Sequence, residues 1–150
     1  MTVGELCNRE VVLARVGDTV FDAARRMRQF HVGDLVVVED EAGGRVPVGI
    51  VTDRDLVVAA LAEGIERLSE LRVGDVMTPR PVTAHAGEGV VEALDRMRSH
   101  GIRRLPVVNE EGRLEGILAF DDVLEFTSGE LLDLVKLVAR QQKVERQRRI

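Results

Sequence analysis

The chain contains itself twice. Residues 3–42 align with residues 73–112 at an offset of 70, with identities at Gly4/Gly74, Val12/Val82, Gly17/Gly87, Val20/Val90, Ala23/Ala93 and Leu35/Leu105. Arg26-Met27-Arg28 meets Arg96-Met97-Arg98, and Val37-Val38 meets Val107-Val108. After a loop that differs by three residues the offset becomes 67; Gly49-Ile50 then meets Gly116-Ile117, and Asp55 meets Asp122. Repeats of this size are duplicated supersecondary units, each of which buries its apolar face against its copy. Whatever one half folds into, the other must fold into as well, and a pseudo-twofold arrangement is expected.

The pattern within one copy reads β-α-β-β-α. Val11–Leu13 and Pro81–Thr83 are short strands. Val20, Ala23, Ala24, Met27 and Phe30 then recur at helical spacing, as do Val90, Ala93, Leu94 and Met97. Thr19 with Asp22 resembles a capping box, and Gly101 suits the end of the second of these helices. Leu35–Val38 and Leu105–Val108 are uninterrupted apolar runs of the kind buried on both faces. Each is followed by a Gly-containing polar turn, Glu39–Gly44 or Asn109–Gly112, and a further strand, Val46–Val51 or Leu114–Leu118. Helices start at Asp53, running to Leu61, and at Asp121, running to Glu125. Ala62–Arg72 reads as a polar connector, and a last amphipathic helix is expected from Gly129, with Leu131, Leu132, Leu134, Val135, Leu137 and Val138 on its apolar face. The division is 1–62 for the first repeat, 63–72 for the connector, 73–128 for the second repeat and 129–150 for the terminal helix. The fold class is α/β (α+β).

Composition narrows the chemistry. At 150 residues and 45% hydrophobic the chain can bury a core, whereas aromatics are only 3%, with no Trp or Tyr, so it lacks base-stacking platforms for single-stranded nucleic acid. One cysteine excludes an internal disulfide, and three scattered histidines (His31, His85, His100) argue against a Cys/His metal cluster. Cys7, Met27 and Met97 read as packing residues. No Gly-rich phosphate loop, catalytic Ser/His/Asp set or metal motif is present. There is no signal peptide or long apolar run, and a cytoplasmic location is expected. Charge is unevenly spread. Residues 136–150 hold six basic side chains (Lys136, Arg140, Lys143, Arg146, Arg148, Arg149) against Glu145, a local +5 that leaves −10 on the rest of a chain of net −5. Such a tail suits an acidic surface or a partner.

Several segments resemble one known family. Gly49-Ile50-Val51-Thr52-Asp53-Arg54-Asp55-Leu56 is similar to the G-h-x-T-x-x-D signature of cystathionine-β-synthase-type (CBS) domains. Asp75-Val76-Met77-Thr78-Pro79 resembles the leading segment of such a domain, and Arg103-Arg104-Leu105-Pro106-Val107-Val108 its central strand. The likeness spans residues 3–128. Two copies in tandem resemble a CBS pair, or Bateman module, in the free-standing form met in prokaryotes. The resemblance implies a disc-like regulatory module with two clefts for adenosine-containing ligands such as AMP, ADP, ATP, NAD or S-adenosylmethionine. It implies no catalysis and no required cofactor. It also implies a homodimer paired through helices and an effector protein that receives the signal.

The residues at issue carry two readings each. Thr52 and Asp55 stand where a strand ends and a helix begins. Free N–H groups there can hold a phosphate beside the Thr52 hydroxyl, and a carboxylate one turn in can accept from both ribose hydroxyls. The same Thr-x-x-Asp spacing can instead close its own helix; the resemblance favours ligand contact for Asp55. Arg103 and Arg104 read by themselves as a solvated turn, whereas the resemblance sets them at ligand phosphates, with Val82 against adenine and Ile50 beside it. The repeats are unequal. Thr52 corresponds to Ala119, and Arg103-Arg104 to Gly33-Asp34. One cleft is therefore expected to gather Ile50, Thr52, Asp55, Val82, Arg103 and Arg104. A weaker second one gathers Val12, Asp34, Ile117 and Asp122 and is poorly suited to phosphate. Two rivals stand against this reading. One is a protein-interaction scaffold with empty clefts; the other is a nucleic-acid binder acting through the basic tail, which the lack of aromatics disfavours. No membrane association is expected.

Overall fold

The two apolar runs become the central strands of two small sheets. A computed structural model describes residues 1–148; Arg149 of the basic tail, and with it the end of the 129–150 segment, lies outside the described residues. The elements are α1 (Val3–Leu6), β1 (Leu13–Ala14), α2 (Val20–Phe30), β2 (Asp34–Glu41), β3 (Gly44–Thr52), α3 (Asp53–Asp55), α4 (Val73–Val76), β4 (Thr78–Pro79), β5 (Ala84–His85), α5 (Val90–His100), β6 (Arg104–Val108), β7 (Leu114–Ala119) and α6 (Phe120–Arg148). The first sheet has the order β1-β2-β3-β4 and the second β5-β6-β7. The fold is mixed α+β, as the repeat pattern implies.

The duplication extends to fine detail. β1 runs parallel to β2 with Ala14 opposite Val37, and β5 runs parallel to β6 with Ala84 opposite Val107. In both hairpins the register slips at the same repeat position, between Val37 and Val38 and between Val107 and Val108. Arg26 donates to the Leu13 carbonyl and pairs with Asp18; Arg96 donates to the Thr83 carbonyl and pairs with Glu88. The matched arginines thus tie each first helix to the strand and loop before it.

The leading segments exchange halves. Val73 and Val76 pack into the first core with Leu35, Val37 and Val51, while Val3 packs into the second with Leu105, Val107 and Leu118. The crossing is reciprocal: Val73 N–H donates to Asp18 and Val3 N–H donates to Glu88. β4 then pairs with β3, and Asn8 bridges to Ile117 of β7. A methyl group on Gly49 would come within 2.5 Å of Met77 Sδ, and one on Gly116 within 2.7 Å of Cys7 Sγ. Glycine at both positions lets the crossing segment lie flat on the sheet. Cys7 is a packing residue, and burial raises its thiol pKa.

Several expected boundaries move. The first strands lie at Leu13–Ala14 and Ala84–His85, one to three residues later than the apolar pattern suggests. Val12 and Val82 therefore precede the strands, in irregular segments that line the clefts. The helix from Asp53 widens to a π turn over Leu56–Ala60 and ends in a 3₁₀ turn at Leu61–Glu63. The connector is not simply polar, because Leu68 and Leu71 pack against the first core. The helix expected to end at Glu125 and the one expected from Gly129 are a single helix, α6. Gly129 costs about 1 kcal/mol relative to Ala, too little to break a run rich in Leu, Glu, Lys and Arg. The apolar face of α6 does not pack on the module: Leu131 through Val138 stay largely in water. Among the described residues no helix is long and apolar enough to cross a membrane.

Candidate functional site

The exchange of leading segments creates two clefts, one on each side of the pseudo-twofold axis. The first, about 240 Å³, lies between the end of β3, the chain from β4 to Val82, and the start of β6. Ile50, Val82, Ile102 and Pro81 give it apolar walls, while Thr52, Thr78, Arg80, Arg103, Arg104 and Asp34 supply its polar groups. The second, about 270 Å³, is lined by Val12, Ile117 and Ala119 together with Glu10, His31, Asp34, Arg104 and Asp122. Of the residues singled out from the sequence, Ile50, Thr52, Val82, Arg103 and Arg104 line the first cleft, and Val12, Asp34, Ile117 and Asp122 line the second.

Asp55 stands apart from that lining. Its carboxylate accepts from Thr52 N–H at 2.8 Å, and the Thr52 hydroxyl accepts from Asp55 N–H at 3.1 Å. This reciprocal capping box satisfies two otherwise orphaned donors at the start of α3. The cap uses Oδ2 of Asp55 and leaves Oδ1 without a protein partner among the described residues. Capping and presentation of a second oxygen to a ligand are compatible.

Each of the two adjacent arginines already has a carboxylate. Arg103 pairs with Asp121 at 2.8 Å and lies over the Phe120 ring, 5.7 Å from its centroid. Arg104 Nε meets Asp34 Oδ1 at 2.9 Å. The repeat alignment places Asp34 in the second cleft alone, but it and Arg104 line both. The reason is symmetry. Asp34 opens β2 and Arg104 opens β6, equivalent positions that meet across the axis. The Asp34 side chain is only 9% exposed, against 40% for Arg104. Burial raises the Asp34 pKa above the usual carboxylate value; Arg104 opposes the rise and Asp53 adds to it.

Arg80 is the cation that sequence reasoning missed. It lines the first cleft, has a left-handed backbone (φ 49°), and among the described residues makes no ion pair. Its N–H donates to the Val48 carbonyl, which fixes the turn. Its place between Pro79 and Pro81 was the available signal, because two prolines flanking one residue define a rigid corner. Thr78, Pro81 and Ile102 were also missed as lining. The three histidines stay exposed; His31 occupies the left-handed cap of α2 at φ 54°, the place Gly101 takes at the end of α5.

Comparison with known proteins identifies the family and the fold. The family described as CBS domain matches residues 3–62 and again residues 73–129. An uncharacterized protein of Methanopyrus kandleri, MK0525, is 34% identical over 125 residues, covering 83% of this chain and 62% of that protein's own length. Among solved structures, CBSX2 of Arabidopsis thaliana in complex with AMP superposes with a TM-score of 0.73 at 28% identity, covering 85% of this chain and 96% of that one. The CBS domain pair of protein MJ0100, in complex with 5'-methylthioadenosine and S-adenosyl-L-methionine, gives a TM-score of 0.73 at 26% identity, covering 87% and 98%. With both halves matched by the same family and the paired fold reproduced, the chain belongs to the CBS domain family and carries two such domains in tandem.

Proposed function

We propose that this CBS pair is a regulatory module whose first cleft binds an adenosine-containing ligand. The observation that carries the reading is the division of that cleft into an apolar slot and a cationic end. Ile50, Val82 and Ile102 suit the faces of an adenine. Thr52, with the free oxygen of Asp55 behind it, suits ribose hydroxyls. Arg80, Arg103 and Arg104 suit a phosphate, since guanidinium groups match its charge and fork geometry. AMP in one solved relative, and S-adenosyl-L-methionine with 5'-methylthioadenosine in another, support an adenosyl ligand as a class. The candidates are AMP, ADP, ATP, NAD and S-adenosylmethionine.

The second cleft suits phosphate less well. Glu10, Asp34 and Asp122 line it with Arg104 as the arginine, and Ala119 stands where the first cleft has Thr52. One phosphorylated ligand per chain is therefore expected, with room in the second cleft for an uncharged or cationic adenosyl compound. The module has a sensing role, passing occupancy to an effector or to its own assembly. A thermal-shift screen with the five candidates and adenosine tests the reading. Ligand at about 100 times its dissociation constant adds roughly 2.7 kcal/mol of apparent stability. No shift with any of the six compounds overturns it in favour of a scaffold with empty clefts. Calorimetry giving two equivalent AMP sites per chain overturns the asymmetry.

A further inference from the structure

The free face of α6 is unaccounted for by the clefts. The helix has 29 residues, about 43 Å at 1.5 Å per residue, yet Val123 is its only buried side chain. Leu131, Leu134, Val135 and Val138 recur at i, i+3, i+4 and i+7, with Leu132 and Leu137 on their flanks. Every one of the six keeps half or more of its surface in water. A continuous apolar stripe of this kind on a charged helix marks an interaction surface.

The charges along the same helix say what covers it. From Phe120 to Asp133 they are all acidic: Asp121, Asp122, Glu125, Glu130 and Asp133. From Leu134 to Arg148 they are Lys136, Arg140, Lys143, Arg146 and Arg148, with Glu145 the one acid. The sign changes between Asp133 and Leu134, at the middle of the apolar stretch Leu131–Val138. Among the described residues Lys136–Asp133 is the only ion pair within the helix, and Asp121 is held by Arg103. The other charges are free to meet a partner.

We propose that α6 pairs with α6 of a second copy of this chain in antiparallel orientation, crossing near Leu134 and Val135. Antiparallel pairing lays each acidic half against the partner's basic half and the apolar stretch against itself. It also opposes the two helix dipoles favourably. Parallel pairing would set acid on acid and base on base along the full length, the repulsive arrangement that excludes wrong partners. In the antiparallel register Leu131 faces the partner's Val138, and Glu130 lies beside the partner's Arg140. The inference stands independently of any ligand in the clefts.

The test uses the full chain and measures mass in solution by light scattering. The chain of 16.6 kDa is expected to run at twice that mass. The double variant Leu134→Lys/Val138→Lys is expected to be monomeric while its circular dichroism stays that of a folded α+β protein, since both side chains are exposed in the single chain. Orientation is read by cysteine cross-linking in a Cys7→Ala background. Leu131→Cys chains mixed with Val138→Cys chains should form a disulfide, and neither variant alone should do so efficiently. Charge is read by mixing: Glu130→Lys/Asp133→Lys and Lys136→Glu/Arg140→Glu should each be monomeric alone and associate together. A monomeric wild type overturns the proposal. So does a dimer that survives Leu134→Lys/Val138→Lys, which would locate the contact on the module's other helices. Efficient self-cross-linking of Leu131→Cys would overturn the orientation.

Discussion

Replacing Asp34 by Asn should tighten binding of a phosphorylated ligand in the first cleft and leave the unphosphorylated nucleoside unaffected. Arg104 Nε now donates to Asp34 Oδ1 at 2.9 Å. A phosphate on the other edge of the same guanidinium would stand about 6 Å from that carboxylate. At that distance unit charges repel by about 2.8 kcal/mol at an effective dielectric of about 20, and by about 1.4 kcal/mol at about 40. Because about 1.4 kcal/mol is a factor of ten, removing the carboxylate charge should tighten AMP binding by roughly 10- to 100-fold. Calorimetry at fixed ionic strength, with AMP and adenosine on the wild type and on Asp34→Asn, measures this directly. An unchanged or weaker AMP affinity would refute the reasoning, as would an equal gain for adenosine, which has no phosphate to be repelled.

The same substitution has a stability signature whose sign is fixed by the raised pKa of Asp34. A carboxyl that binds its proton more tightly folded than unfolded favours the folded state most below the unfolded value, about 3.9. That contribution is lost as pH rises through the raised folded value. At neutral pH the buried carboxylate is a net cost that Arg104 only partly offsets. Asp34→Asn should therefore be as stable as the wild type or more so at pH 7, and should lack the fall in stability that starts near pH 4. A marked loss of stability at pH 7 would mean that the ion pair outweighs the burial.

Four further outcomes follow. Arg80→Ala should weaken AMP far more than adenosine with little change in thermal unfolding; equal losses for both would assign Arg80 to the turn alone. Arg104→Ala leaves Asp34 unpaired in a nearly buried site and should cost about 1–2 kcal/mol in denaturant unfolding, discounted from the fully buried case because Arg104 is partly exposed; no loss would show that water already screens the pair. Asp55→Ala removes half of a capping box and should cost about 1 kcal/mol, and it should also abolish measurable AMP binding; a loss of stability with unchanged affinity would confine Asp55 to capping. His31→Gly should stabilise by about 0.5–1 kcal/mol, since Gly adopts the left-handed cap without a Cβ clash, and a lower unfolding midpoint would show that the His31 side chain does more than end α2.

Much of the fold was legible because the duplication let each half check the other. Val37-Val38 and Val107-Val108 looked like buried strands in both copies, and both became central strands with the same register slip. Strand starts were less legible. Val12 and Val82 have strand-like side chains, but the parallel ladders register only from Leu13 and Ala84, with Val12 contributing just its carbonyl to Val36 N–H, so side-chain pattern placed the strands too early. The continuity of α6 is hidden in the sequence because Gly129 resembles a helix boundary. Side-chain hydrogen bonds from Thr127 to Val123 and from Ser128 to Leu124 are made within the helix and do not interrupt it.

The site was legible as a set of residues but not as a set of contacts. Arg104 corresponds to Asp34 in the repeat alignment, which by itself points to one cationic and one acidic cleft. Equivalent positions are separate places only away from the axis. Near a twofold axis they are the same place, because a residue close to the axis faces its own counterpart. Asp34 and Arg104 each open a central strand, the strands approach at their starts, and opposite charges at equivalent positions satisfy each other at 2.9 Å. Two acids there would repel, and two arginines would leave a buried face uncompensated. The asymmetry between the repeats is thus not a property of two independent clefts. It is one ion pair shared by both, because Asp34 and Arg104 line each cleft. In a duplicated fold, the positions to compare first are those where the copies differ by opposite charge at the start of a central strand.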